Sequence, residues 1–224
     1  MRLRWRMAQF VEVLWWWFYL LRKDKAEYLR KKKLYWQKLL DDCADVFEIK
    51  EGDSIIDMGC GPSGLYIMYP DRAVTAVDPL LDKYEQNLPI FSRADYPQVN
   101  FITSPIETFT TTAQFDYVFC MNAINHVNDI KAGFRKLTSL TNANGKIIVT
   151  IDAHNKQFLK GIFRIGPGDV LHPHQYDLEE YKAFLSDEGY EILKTICLDE
   201  EYIFNHYMLI AQKTTFNRGN SLLP

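Results

Sequence analysis

Cysteine is scarce in this chain. Cys43, Cys60, Cys120 and Cys197 are scattered over 224 residues, and no two form a C-x-x-C pair. That spacing argues against the common zinc and dithiol redox motifs, and no metal site is expected. Reduced thiols in a reducing compartment fit it better. Long apolar runs are lacking too. Residues 7–21 are strongly apolar but include Gln9 and Glu12. They fall short of the roughly 20 residues needed to span a bilayer. The run is also too aromatic for a secretory signal, and no small-residue cleavage site follows it. A cytoplasmic protein is therefore expected. The chain has no internal repeat, no low-complexity linker and no nameable RNA-recognition module, so no nucleic-acid partner is expected.

Charge is present but uneven. The formal net charge is only −3, yet residues 1–40 hold 11 Lys and Arg against 3 Asp and Glu. All five tryptophans, Trp5, Trp15, Trp16, Trp17 and Trp36, fall in this basic part. Two helices are expected there. In residues 7–22, Phe10, Val13, Leu14, Trp17, Phe18 and Leu21 share one face. Val11, Trp15 and Tyr19 make the other side apolar as well, so this helix needs cover on more than one side. A second helix is expected from about Lys25 to Phe47, with Leu29, Trp36, Leu39 and Leu40 as its buried stripe. Residues 1–50 thus read as an N-terminal helical extension, 51–213 as the main domain and 214–224 as a frayed tail.

From Asp53 onward the pattern alternates. Strands are expected at 54–58, 73–77, 99–103, 115–121, 145–151, 190–197 and 203–213. Helices are expected at 64–70, 80–88, 129–141 and 177–188. Strands separated by helices argue a parallel sheet with crossover connections. Asn142–Gly145 reads as a turn. Asp177 with Glu180 three residues later reads as a capping box, and Gly189 as a helix stop.

The most informative stretch is 54–64, Ser-Ile-Ile-Asp-Met-Gly-Cys-Gly-Pro-Ser-Gly. A strand ends in Asp57 and runs into a glycine turn at Gly59, Gly61 and Gly64, which lets a ligand approach the main chain closely. About twenty residues on, the strand Ala73–Val77 ends in Asp78. An acid there is placed to accept hydrogen bonds from both hydroxyls of a ribose. Together these segments resemble motif I and the acidic motif II of the class I S-adenosylmethionine (SAM)-dependent methyltransferases. A dinucleotide oxidoreductase shares the glycine spacing. The acid two positions before the first glycine favours the methyltransferase.

The resemblance implies an α/β fold. It has a seven-stranded, mostly parallel Rossmann-like sheet, helices on both faces and a C-terminal antiparallel hairpin. It also implies SAM as cofactor, bound beyond the carboxyl ends of the strands. Gly59, Cys60, Gly61 and Gly64 would border it, and Asp57 would contact the methionine ammonium. Asp78, followed by Pro79, would bind the ribose. Ser104, Pro105 and Ile106 form the turn that holds adenine in similar enzymes, with Ile106 as backbone donor because Pro105 has no N–H. Met121 and Asn122, after the fourth strand, would border the methionine part. The segment departs from the family's frequent Glu-His-Val, with Asn125 in place of the Glu.

Methyl transfer needs positioning and, for a hydroxyl acceptor, a base. Candidates are His126 and the segment His172-Pro-His174-Gln-Tyr176. His154 and His206 are less well placed, and His206 reads as structural. Nothing resembles the Asn-Pro-Pro-Tyr motif of adenine and glutamine N-methyltransferases. The expected acceptor is a small molecule, a sugar or a lipid-like compound. Alternatives are a SAM-fold binding protein without turnover and a nicotinamide-dependent oxidoreductase. The extension, residues 1–40, is expected to form a lid over the acceptor pocket. A peripheral membrane contact and a homodimer interface stand beside that expectation.

Overall fold

The structure is a computed structural model and describes residues 11, 13–20, 23–155 and 176–214. Its centre is a seven-stranded sheet in the order β3-β2-β1-β4-β5-β7-β6. The strands are β1 (Ile55–Met58), β2 (Val74–Val77), β3 (Val99–Ile102), β4 (Phe115–Cys120), β5 (Thr141–His154), β6 (Tyr190–Glu200) and β7 (Phe204–Lys213). Neighbours among β1 to β5 pair in parallel, whereas β7 lies antiparallel to both β5 and β6. This is the expected fold, including its closing hairpin.

Apolar side chains alternate to the two faces, so both faces need cover. On one side Ile55, Phe119, Ile148 and Met208 pack with Tyr28, Trp36 and Leu39 of helix α1 (Lys25–Asp41) and with Leu81 and Tyr84 of α2 (Leu81–Asn87). On the other, Ile56, Val118, Ile147 and Leu209 pack with Phe134 and Leu137 of α3 (Ile130–Leu140) and with Tyr181 and Leu185 of α4 (Leu178–Ser186). The capping box at α4 forms as its sequence implies: Asp177 accepts from the Glu180 N–H, and Glu180 accepts from the Asp177 N–H.

Three elements differ from expectation. The helix expected at 64–70 is a pair of short 3₁₀ turns, Gly61–Ser63 and Leu65–Met68. Gly64 between them is extended, with φ −71° and ψ −172°. That conformation aims the Leu65 N–H at Asp57 Oδ2, 2.7 Å away. Helix α1 ends at Asp41 rather than Phe47, because tight turns over 42–46 swing Phe47 against Tyr117. Strand β5 runs on to His154, since Asp152, Ala153 and His154 each pair with a β7 residue. It also begins at Thr141, so Asn142–Gly145 forms an irregularity in the ladder between the Phe115 and Tyr117 pairings. Residues 11 and 13–20 are helical, and no described helix is long and apolar enough to cross a membrane.

Candidate active site

The carboxyl ends of β1, β2 and β4 open onto one cleft of about 850 Å³, part of it continuous with solvent. Gly59, Cys60 and Gly61 form one edge, Asp78 and Pro79 the next, and Pro105, Ile106 and Glu107 a third. Met121, Asn122, Ala123, His126 and Val127 close the side after β4. Nine of the predicted cofactor residues therefore meet in one place: Gly59, Cys60, Gly61, Asp78, Pro79, Pro105, Ile106, Met121 and Asn122. His126 stands beside them.

Asp57, Gly64 and Ser104 are not in the lining. Asp57 is buried beneath the glycine turn, where loss of water pushes its carboxyl up to about 7, opposed by the Leu65 N–H. A side chain on Gly64 would collide with that carboxylate, so this glycine is needed for close approach. The Ser104 hydroxyl donates to the Pro105 carbonyl at 3.1 Å. Tyr176 is half-buried outside the lining, with its ring on Tyr181 and Phe184 at 5.7 and 5.1 Å. His172 and His174 lie outside the described residues.

The turn after β1 depends on its glycines. Gly59 has φ +76°, and any Cβ there would strike Ala123. Its N–H and that of Cys60 both donate to the Val77 carbonyl, which ties the turn to the end of β2. Asp78 continues that tie, because Oδ2 accepts from the Gly61 N–H at 3.0 Å and Oδ1 from the Leu80 N–H at 2.8 Å. The Asp78 carboxylate is thereby fixed against the glycine turn.

The β4 side is equally built. Asn122 takes the left-handed conformation, φ +53°, which Asn tolerates better than most residues. Thr150 Oγ1 accepts from its N–H at 2.6 Å and donates to its Oδ1 at 3.0 Å. Below His126, Tyr181 donates to Asn125 Oδ1, and Asn125 donates to Asp152 Oδ2, each at 3.0 Å. Asp152 also meets His206 Nδ1 at 2.6 Å. This chain joins α4, β5 and β7 to the 3₁₀ turn Ile124–His126. It explains why Asn suits position 125 and why His206 reads as structural.

The roof comes from the N-terminal extension. Trp16, Lys32, Tyr35 and Trp36 line the cleft. Trp36 Nε1 donates to the Ser63 carbonyl at 3.1 Å, and Tyr28 shares a 2.7 Å hydrogen bond with the Ser63 hydroxyl. Burial pushes the Tyr28 hydroxyl up to about 12, so it stays protonated. Helix α1 is thus fastened to the glycine turn. Lys32, Tyr35 and Glu107 carry no sequence motif, and only the tertiary placement of α1 and of the turn after β3 brings them to the cleft.

A glycine turn after β1, an acid after β2 and an antiparallel β7 define a nucleoside-binding transferase fold rather than a dinucleotide oxidoreductase. A family model described as a methyltransferase domain matches residues 49–203, and the chain belongs to the class I SAM-dependent methyltransferases. It is 30% identical over 152 residues to a protein from Rickettsia bellii named ubiquinone biosynthesis O-methyltransferase, covering 66% of this chain and 62% of that one. The chain thus spans about three fifths of the length of that curated relative. Among solved structures, a Bacillus halodurans protein described as a putative methyltransferase superposes with a TM-score of 0.63 at 12% identity, over 79% of this chain and 99% of that one. A Synechocystis magnesium protoporphyrin IX methyltransferase with bound S-adenosylhomocysteine superposes at 0.53 and 19% identity, over 84% and 83% of the two chains. These two show the shared fold.

The chain carries a methyltransferase domain, and SAM is the cofactor of that family. The residues present fit that group. The glycine turn leaves open space in front of Gly61, and Asp78 borders the same cleft. Among the described residues, the buried Asp57 carboxyl takes its one hydrogen bond from Leu65 and has no cationic partner, so an approaching ammonium would favour its ionisation.

Proposed function

We propose that the protein methylates a hydroxyl of a small-molecule acceptor with an aromatic or lipid-like apolar body. The observation that supports this most is the aromatic roof: Trp16, Tyr35 and Trp36 face the cleft that holds His126 and Met121. Such a surface binds an apolar body and excludes water from it. The O-methyltransferase name of the Rickettsia bellii relative agrees with a hydroxyl nucleophile.

When bound, SAM supplies an activated methyl group on a sulfonium centre. The chain supplies the rest. Gly59, Gly61, Asp78 and Ile106 hold the nucleoside side, with Asp57 below the turn as counter-charge and Cys60, Gly64, Pro79, Ser104 and Pro105 shaping the surrounding turns. Met121 and Asn122 border the methionine side. His126 accepts the acceptor's hydroxyl proton as the oxygen attacks, and α1 with Trp16 forms the lid. His172, His174 and Tyr176 are further candidates for acceptor contact from the segment that follows β5.

The test is S-adenosylhomocysteine release across a panel of phenols, sugars and long-chain hydroxy compounds. Turnover is expected with the apolar-bodied hydroxyl acceptors. Turnover on sugars alone would overturn the assignment. With a true acceptor in hand, His126→Ala should lower kcat by about 10²–10⁴ while leaving S-adenosylhomocysteine affinity unchanged. An unaltered kcat would remove His126 as the base.

A further inference from the structure

Among the described residues, the helical segment formed by residues 11 and 13–20 is covered on one side only. Val13, Trp16 and Leu20 face inward and pack against the core. Val11, Leu14, Trp15 and Phe18, at the i, i+3, i+4, i+7 spacing of a single stripe, are exposed. Trp15 is 54% and Phe18 66% accessible. Eight of the ten exposed large apolar side chains among the described residues lie between Val11 and Tyr35, so they form a local concentration rather than ordinary scatter. Soluble helices normally turn their apolar stripe inward, and here the stripe points out.

The charge beside it has one sign in excess. Lys23, Lys25, Arg30, Lys31, Lys33 and Lys38 are all exposed. Acids answer only part of this: Glu27 pairs with Arg30 and Lys31, Asp42 with Lys38 and Asp95 with Lys25. Lys33 has no ion pair among the described residues, and Lys23 Nζ sits 3.1 Å from the centroid of the Tyr19 ring. Exposed Trp and Phe flanked by surplus Lys and Arg is the chemistry of a helix lying in the headgroup layer of an anionic bilayer.

We propose that the outward face of the N-terminal extension docks the enzyme on an anionic membrane surface. The lid role uses the opposite face, through Trp16 and the cleft side of α1, so one extension serves both purposes. The proposal does not depend on the acceptor. It places the cleft roof against the bilayer, where an apolar acceptor could enter without crossing water.

The test is co-sedimentation of the full chain with vesicles of phosphatidylcholine alone or mixed with phosphatidylglycerol, alongside tryptophan fluorescence. Binding to the anionic vesicles is expected at low salt, with a blue shift, and should weaken about tenfold or more as salt is raised. The double substitution Leu14→Ser with Phe18→Ser should reduce vesicle binding by about tenfold or more. Its affinity for S-adenosylhomocysteine should not change, which shows that the fold is kept. Lys31→Glu with Lys33→Glu should also weaken binding, in a salt-sensitive manner. Absence of binding to anionic vesicles would overturn the proposal. So would sedimentation velocity showing a dimer that Leu14→Ser with Phe18→Ser dissociates while no vesicle binding occurs, because the face would then join two copies of the chain.

Discussion

Asp57 is a carboxyl group held away from water, and its titration makes stability depend on pH. In the unfolded chain an aspartate ionises near pH 3.9 (about 4). In the ligand-free fold burial holds it up to about 7. Across that window the folded protein keeps a proton that the unfolded chain has lost, so this group's contribution to stability falls as pH rises from about 4 to about 7. Above it the contribution is level. Asp57→Asn can still accept from Leu65 N–H but cannot ionise. Chemical denaturation of the two proteins across this window should show a shallower decline for the variant, and parallel curves would disprove the assignment. Asp78 makes a different prediction. Asp78→Ala should weaken S-adenosylhomocysteine binding by about 1.5–3 kcal/mol in calorimetry, because a charged acceptor of two ribose hydrogen bonds is lost. Unchanged affinity would remove Asp78 from the cofactor site.

Helix α1 carries two attachments to the glycine turn, through Tyr28 and Trp36. Trp36→Phe leaves the Ser63 carbonyl without that donor, and Tyr28→Phe leaves the Ser63 hydroxyl without its partner. Each should lower stability by about 1–2 kcal/mol in urea denaturation. If Tyr28→Phe costs nothing, the buried hydroxyl pair does not fasten the helix. Elements of this kind differ in how far sequence reveals them. Strands β1 to β4 and helices α3 and α4 follow from apolar period and caps such as Asp177. The turns at 61–68 do not, because their conformation depends on a tertiary bond, Leu65 to Asp57, that no local pattern encodes. Likewise Gly59, Gly61, Asp78 and Met121 could be placed at the site because a parallel sheet brings strand ends together. Lys32 and Tyr35 could not, since α1 could lie over the sheet in several ways that share the same buried stripe.

Across the whole molecule, the extension is divided between core and surface. Tyr28, Trp36 and Leu39 are buried in the main core cluster, while most of residues 11–19 are exposed or half-exposed. Removing residues 1–24 should therefore leave a chain that still unfolds cooperatively. Removing 1–40 strips four buried side chains among the described residues, Leu20, Tyr28, Trp36 and Leu39, at about 2–5 kcal/mol each, from a fold whose total stability is typically about 5–15 kcal/mol. Thermal melts followed by circular dichroism should show a cooperative transition for the first truncation and none for the second. Two similar melts would show that α1 is dispensable.

Trp36 both lines the cleft and bonds the glycine turn, so α1 and the nucleotide loop are thermodynamically linked. Linkage is reciprocal: whatever free energy the closed helix contributes to holding the cofactor, the cofactor returns to holding the helix. Amide protons of Lys25–Asp41 should therefore exchange more slowly when S-adenosylhomocysteine is added, and at saturating ligand the factor by which the opening equilibrium constant falls should equal the factor by which opening α1 weakens affinity.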